Sequence, residues 1–219
     1  MAARAKPKSK PKAKTPSPIS YGVHPGVAMV QKWVSELKQK TGRTLEEWCA
    51  HIQKAGPEDL PARRQWLKSK YKLGTNTAWW LAERADGQPT WDESPESYLA
   101  VAPTYVEEMF AGPKAHLRPL ADALMRLAME VAPDVKFCPC KTIIPFYREH
   151  VIAQVKPATN SRIDFGLSLG PDVPFTPRLK DTGGLKKKDR ITHRIEIARP
   201  GDIDVEVEGY LRAAYDRDA

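Results

Sequence analysis

All six tryptophans of the chain lie between Trp33 and Trp91, and no other feature limits the fold so strongly. Large aromatic rings dominate the energetics of a core. A segment of about 60 residues buries a small share of its surface and needs such side chains to hold together. Beyond Trp91 the apolar load passes to Phe, Tyr, Ile, Leu and Val. The 219 residues therefore divide into two differently built modules. Pro89, Pro95 and Pro103 punctuate the change, with Gly, Asp, Glu and Ser around them. This predicts a linker over 87–103, between a module at 19–86 and a second at 104–219. No internal repeat is visible.

The first module reads as four short helices. Val27, Val30, Val34 and Leu37 recur at helical spacing, and Gly42 stops that helix. Thr44 and Glu47 form a capping box ahead of Leu45, Trp48 and Ile52, and Gly56 ends the second helix. Leu60, Trp66, Leu67 and Tyr71 line a third, closed by Gly74. Thr75 or Asn76 caps a fourth, with Trp79, Leu81 and Ala82 on its apolar side. The tryptophans read as core anchors of a small all-α bundle.

The second module reads as α+β, a mainly antiparallel sheet packed by helices. Residues 105–131 are helical, broken by Gly112–Pro113 and Pro119. Strands are expected at 141–147, 150–156, 162–169 and 190–197. Pro145 places the first of these at an edge or a bulge. Ile163, Phe165, Leu167 and Leu169 share one face, and Ile191, His193, Ile195 and Ile197 point inward on the last strand. Short connections imply antiparallel pairing. A closing helix starts near Asp202 and carries Ile203, Val207, Tyr210, Leu211 and Ala214.

Charge is unevenly placed. Residues 1–18 hold six of the 35 basic residues (Arg4, Lys6, Lys8, Lys10, Lys12 and Lys14) and none of the 27 acidic ones. The net charge of +8 belongs chiefly to this segment, and the remainder is nearly neutral. Alternating Lys and Pro forms neither helix nor strand, so a disordered, extended cationic arm is expected over 1–18. Such an arm suits non-specific contact with the phosphate backbone of DNA or RNA, and equally serves as a solubilising leader. No apolar run reaches the roughly 18 residues of a membrane span, and no apolar stretch marks a secretion signal. Three cysteines form no closed set of pairs, which fits a reducing compartment. The expectation is a cytoplasmic protein with no membrane partner.

Two stretches carry a resemblance. KTGRTLEEW (Lys40–Trp48) followed by RRQWLKSKYKLGTNTAWWLA (Arg63–Ala82) resembles a small helical bacterial domain of unknown function. From Tyr105 to Tyr215, the pieces KTIIPFYRE, RIDFGLSL, ITHRIEI and DIDVEVEGYLRAAY are similar to a second uncharacterised bacterial domain. That domain occurs alone, joined to such a helical domain, and fused to predicted restriction-type nucleases. The resemblance implies a fold and a bacterial cytosolic setting. It brings no established activity and no catalytic residues.

Candidate chemistry is sparse. Arg64, Lys68 and Lys72 make a like-charge ridge on the third helix, which an anionic partner would offset. Glu46, Glu47, Glu58 and Asp59 are the acids that could neutralise it instead. Arg63–Arg84 also has the outline of a helix-turn-helix. Cys138-Pro139-Cys140 lacks the second ligand pair that structural zinc needs, so no metal and no cofactor are expected. Arg162, Asp164, His193 and Arg194 are candidate ligand-pocket residues, with Glu196 beside them on the polar sheet face. His193 reads either as a core histidine or as a general base. The loop Arg178–Arg190 carries Gly183-Gly184 and Lys186–Lys188 but does not match a phosphate-binding GxxxxGK[ST] pattern. The leading reading is a non-enzymatic protein associated with nucleic acid through its basic tail. The alternative is a protein- or small-ligand-binding module, and an enzyme centred on His193 is the third.

Overall fold

The computed structural model describes residues 18–87 and 94–218. Residues 1–17 of the arm expected over 1–18, with Lys6, Lys8, Lys10, Lys12 and Lys14, lie outside the described residues, as do 88–93 of the expected linker. Four helices open the fold: α1 (Pro25–Thr41), α2 (Leu45–Ala55), α3 (Leu60–Tyr71) and α4 (Thr75–Ala85). Gly42 ends α1 in the left-handed region at φ 80°. The Thr44 capping box closes as expected. Glu47 N donates to Thr44 Oγ1 at 3.2 Å and Thr44 N donates to Glu47 Oε2 at 2.7 Å. Leu37, Trp48, Ile52, Leu67, Ala78, Leu81 and Ala82 form the bundle core.

Three expectations for this module are corrected. Lys72, not Gly74, takes the left-handed position that ends α3, at φ 55°. Gly74 instead stands at the N-cap of α4, the place expected of Thr75 or Asn76, and no side chain caps that helix. The tryptophans also divide. Trp48 is buried, Trp33, Trp66 and Trp80 are half-buried, and Trp79 is exposed.

The stretch expected as linker is helical from Pro95 onward. Ser94 caps α5 (Pro95–Met109) by accepting from Ser97 N, and Pro95 needs no donor in the first turn. α5 joins the modules: its Tyr98 and Ala102 bury against Val27 of α1, and its Val106 and Met109 enter the core of the second module. A 3₁₀ stretch, Gly112–Leu117, leads into α6 (Arg118–Val131).

The sheet has six strands: β1 (Lys136–Phe137), β2 (Ile144–Tyr147), β3 (Val151–Lys156), β4 (Ile163–Leu167), β5 (Lys180–Asp181) and β6 (His193–Ile197). Their order is β1-β2-β3-β4-β6-β5, and every neighbouring pair is antiparallel. Pro145 sits beside a register irregularity at Phe146/Tyr147. Residues before α1 add to the β1 edge, where Gly22 N donates to Phe137 O at 2.9 Å. A one-turn helix α7 (Gly184–Lys187) separates β5 from β6, and α8 (Val205–Asp216) follows β6. Helices α6 and α8 cover one sheet face with Leu120, Leu124, Met125, Val207 and Leu211. The opposite face is polar, the usual arrangement for an antiparallel sheet.

Candidate functional site

The ridge on α3 does not survive as a set of three free cations. The Arg64 guanidinium lies over the Trp79 ring at 4.3 Å, and its Nη2 donates to Glu83 Oε1 at 2.5 Å. Glu83, one turn beyond Trp79 on α4, is the neutraliser. Three of the four acids expected in that role, Glu46, Glu47 and Asp59, are used elsewhere. Glu47 closes its box, and Asp59 caps α3 by accepting from Ala62 N at 2.9 Å. The Glu46 carboxyl is held below its usual range by its own backbone N–H and by Thr44. Glu58 contributes its carbonyl to Arg63. Among the described residues no ion pair involves Lys68 or Lys72. Helices α3 and α4 and their three-residue turn keep the helix-turn-helix outline, but the exposed side of α4 presents Asn76, Trp79 and Glu83. An acidic side chain there opposes entry beside phosphates.

Arg63, one residue away, faces the opposite direction. Its guanidinium is buried and makes four hydrogen bonds. Nε donates to Pro57 O at 3.0 Å, Nη2 to Glu58 O at 3.1 Å, and Nη1 to Ala82 O at 3.1 Å and to the Asp86 carboxylate. It ties the loop before α3 to the end of α4 and is unavailable to a partner.

On the polar sheet face, Arg162, Asp164 and Arg194 come together and are joined by Glu196 and Lys180. Arg162 Nε and Arg194 Nη1 reach Asp164 Oδ1 at 3.0 and 3.2 Å. Arg194 Nη1 and Lys180 Nζ reach Glu196 at 2.9 and 2.7 Å. Lys180 first, and the arginines with it, hold the Glu196 carboxyl below its usual range. The Asp164 carboxylate raises the Arg162 guanidinium further. Cross-strand pairs of opposite charge are a unit of sheet stability. This cluster has the build of a ladder more than of an open receptor.

His193 does not join it. Its side chain is wholly buried on the other face, against Phe175 at 4.6 Å. Gly170 N donates to Thr192 Oγ1, and Thr192 Oγ1 lies 2.8 Å from His193 Nδ1. His193 Nε2 lies 3.0 Å from Val173 O. A carbonyl only accepts, so Nε2 donates to Val173 O, and Nδ1 shares a hydrogen bond with the Thr192 hydroxyl. Both nitrogens are thus engaged, and the hydroxyl beside the ring, that of Thr192, is itself tied to Gly170 N. Ile191, expected inward with His193, instead folds over Gly166 on the polar face. A Cβ on Gly166 would lie 2.6 Å from Ile191 Cγ2.

Two concavities occupy this side of the second module. One, of about 410 Å³, lies over β3, β4 and β6, with Gln154, Lys156, Asp164 and Arg194 as floor and Thr182 and Lys187 as wall. The other, of about 510 Å³, is lined by Glu108, Lys114, Lys141, Thr142 and Asn160 and shares Lys156 with the first. The glycine loop between β5 and β6 is built inward. Gly183 N donates to Asp181 Oδ1 at 2.7 Å and Gly184 N to Thr182 Oγ1 at 3.1 Å. Those two donors are therefore not free to cradle a phosphate.

The cysteines and the junction between modules are structural. Cys138 is buried with Sγ 3.6 Å from Val23 O, and burial pushes its thiol up to about 12. Burial raises the Cys140 thiol as well. Raised thiols are poor nucleophiles. Among the described residues no group of three or more His, Cys, Asp or Glu is placed to hold a metal. His150, close to the cysteines in sequence, turns instead to Asp218 at 3.0 Å. Tyr98 donates to Pro139 O at 2.8 Å, and His24 caps α1 by accepting from Gly26 N at 2.9 Å. His24 and Arg63 escape sequence reading because their partners are defined only once the helix ends are known.

Residues 106–218 match a family model described as a domain of unknown function, DUF5655, and residues 29–87 match a second, DUF4287, described in the same words. No curated protein and no solved structure matches the chain.

Proposed function

The chain belongs to the DUF5655 family of domains of unknown function, and we propose that it is a non-enzymatic cytoplasmic protein associated with nucleic acid through its basic N-terminal segment. The observation that carries this reading is the placement of charge: six basic residues and no acid in residues 1–18, before a nearly neutral remainder. The body supports it from the other side. Arg63, Arg64, Arg162, Arg178 and Arg194 are engaged with the protein's own carboxylates. They offer little to a phosphate, so the excess charge resides where no carboxylate meets it in sequence.

Six cations that displace counterions contribute a slope of about −5 to log K against log salt, at about 0.9 per neutralised phosphate. The test is fluorescence anisotropy with a labelled duplex at several salt concentrations. The full chain is compared with a variant carrying Gln at Arg4, Lys6, Lys8, Lys10, Lys12 and Lys14. That variant is expected to lose about five units of slope, with little dependence on duplex sequence. Replacing Arg64, Lys68 and Lys72 with Gln is expected to cost less, because Arg64 is already paired. Absence of binding by the full chain at low salt, or an unchanged slope in the tail variant, overturns the reading. A second reading, binding of a small polar ligand, is favoured by the concavity over β3, β4 and β6.

A further inference from the structure

We infer that the exposed Trp79 indole is a stacking platform for an unpaired base, and that Lys68 and Lys72 beside it hold the phosphates of the same single strand. The inference rests on the nucleic-acid reading above and deepens it: the tail contacts any phosphate backbone, whereas this surface of the helical module prefers single strands.

Trp79 stands apart from the other described tryptophans. Trp48 is buried, and Trp33 and Trp80 meet edge to face at 4.6 Å. Trp66 lies against Tyr71 at 5.0 Å and stacks on His51 at 5.7 Å. Trp79 instead is 51% exposed, and among the described residues no second ring packs on it. Its partner is the Arg64 guanidinium, 4.3 Å from the ring centroid. That guanidinium also donates to Glu83 Oε1, one turn along α4. It is held twice, and it holds the indole beneath it in turn. The exposed part of Trp79 therefore belongs largely to the other face and the rim of the ring. An aromatic plane already fixed loses little freedom when a second ring stacks on it. Left bare, the same surface is apolar area set against water.

Charge beside the ring selects the partner. Arg64, Lys68 and Lys72 follow one another at four-residue spacing along α3, and α4 presents Asn76, Trp79 and Glu83. On these two rows three cations stand with one carboxylate, and Arg64 matches that carboxylate. Lys68 and Lys72 are left in excess. Lys72 also ends α3 in the left-handed region, at φ 55° and ψ 29°, a conformation that favours glycine, so a cation occupies the turn between the helices. Glu83 opposes a duplex groove, yet it lies one turn beyond Trp79, on the side away from Lys72. Bases in a duplex are stacked on both faces and cannot reach an indole on a helix, whereas those of a single strand splay out and stack on aromatic side chains. Lysine is a compact point charge without the fork that fixes orientation, so it suits the phosphates between such bases. Every base has a face to stack, and the preference is for single strands rather than for a sequence.

The test uses the full chain, native and with the Gln-substituted tail, titrated across a salt series with labelled oligothymidylate and with the labelled duplex. The tail variant is expected to bind the single strand more tightly than the duplex and to lose tryptophan emission as it does so. Adding Trp79→Ala is expected to weaken single-strand binding by about tenfold, the scale of one stacked base, and to remove most of the quench. Trp79→Phe keeps a ring and is expected to recover part of the affinity. Lys68→Gln with Lys72→Gln is expected to reduce the single-strand slope by about 1.4, at about 0.7 per neutralised phosphate. Thermal melting checks that each variant is folded. No binding of the single strand by the tail variant overturns the platform and leaves the tail reading standing. Single-strand binding that Trp79→Ala leaves unchanged, or weakens no more than duplex binding, also overturns it. A duplex slope equal in the tail variant and the native chain fails the tail reading alone.

Discussion

Replacing Arg63 with Met removes one guanidinium and exposes how the helical module is tied. Met conserves most of the aliphatic stem, so packing is largely kept. Four hydrogen bonds go: three to carbonyls and one to the Asp86 carboxylate. Their losses are unequal. The Asp86 side chain is 33% exposed and regains water, and Glu58 lies at the surface. Ala82 is wholly buried, so its carbonyl loses a partner that water cannot replace. Breaking a buried ion pair from one side costs about 3–5 kcal/mol, and the partial rehydration argues for the lower end, about 3 kcal/mol. In a module of this size about 1 kcal/mol moves the melting midpoint by roughly 4–8 °C, so the drop is expected to exceed about 12 °C. Tryptophan fluorescence is the assay, because Trp33, Trp48, Trp66, Trp79 and Trp80 all lie in this module. Arg63→Lys keeps the charge but not the fork, and is expected to recover part of the loss. A drop below about 4 °C for Met, or a native midpoint for Lys, refutes the reasoning.

Burial holds the His24 imidazole below its ordinary value, and its Nδ1 accepts from Gly26 N at the start of α1. The unfolded chain therefore takes the proton first, and stability falls as pH drops below the ordinary histidine value of about 6.5. Urea unfolding from pH 7.5 to 5 is expected to show a steeper loss for the native chain than for His24→Asn, which caps without titrating; equal losses would assign the effect elsewhere. His193→Ala strands Val173 O and Thr192 Oγ1, and is expected to lower stability by about 1–3 kcal/mol in urea unfolding followed by far-UV circular dichroism. A loss under about 0.5 kcal/mol would show that the bridge to Val173 is idle.

What could be read in advance was local. The Thr44–Glu47 box closes within four residues, and the period-2 pattern at 163–167 places Ile163, Phe165 and Leu167 in the core. Errors came where two local signals competed. Lys72 and Gly74 both lie at the α3–α4 turn, and glycine's preference for positive φ favoured the wrong one, because α4 needed Gly74 at its start. Ile191 continues the alternation of β6 in sequence, but the strand begins only at His193, and outside it the chain turns Ile191 over Gly166 on the polar face. The prolines of 87–103 suggested a linker, although Ser94-Pro95-Glu96 is also a helix start. The two concavities beside Lys156 were not legible at all. Their lysines come from the loop between β1 and β2 (Lys141), the end of β3 (Lys156) and the end of α7 (Lys187), and only the fold brings them to one side of the module.

The division between arginine and lysine carries the functional argument furthest. Arginine's planar fork fits a carboxylate with little further loss of freedom, and in the body Arg63, Arg64, Arg162, Arg178 and Arg194 are so fixed. A sequence-specific reader needs forks or amides aimed outward at base edges. Here the forks aim inward, and Glu83 stands on the exposed side of α4, where a recognition helix would meet the groove. Among the described residues, no ion pair involves Lys68 and Lys72 on the helical module or Lys141, Lys156 and Lys187 on the second, nor the exposed Arg126 and Arg217. Lysines that hold phosphates by charge alone give binding that salt weakens and base sequence barely alters. Such binding suits a protein whose own contribution is to stay near nucleic acid.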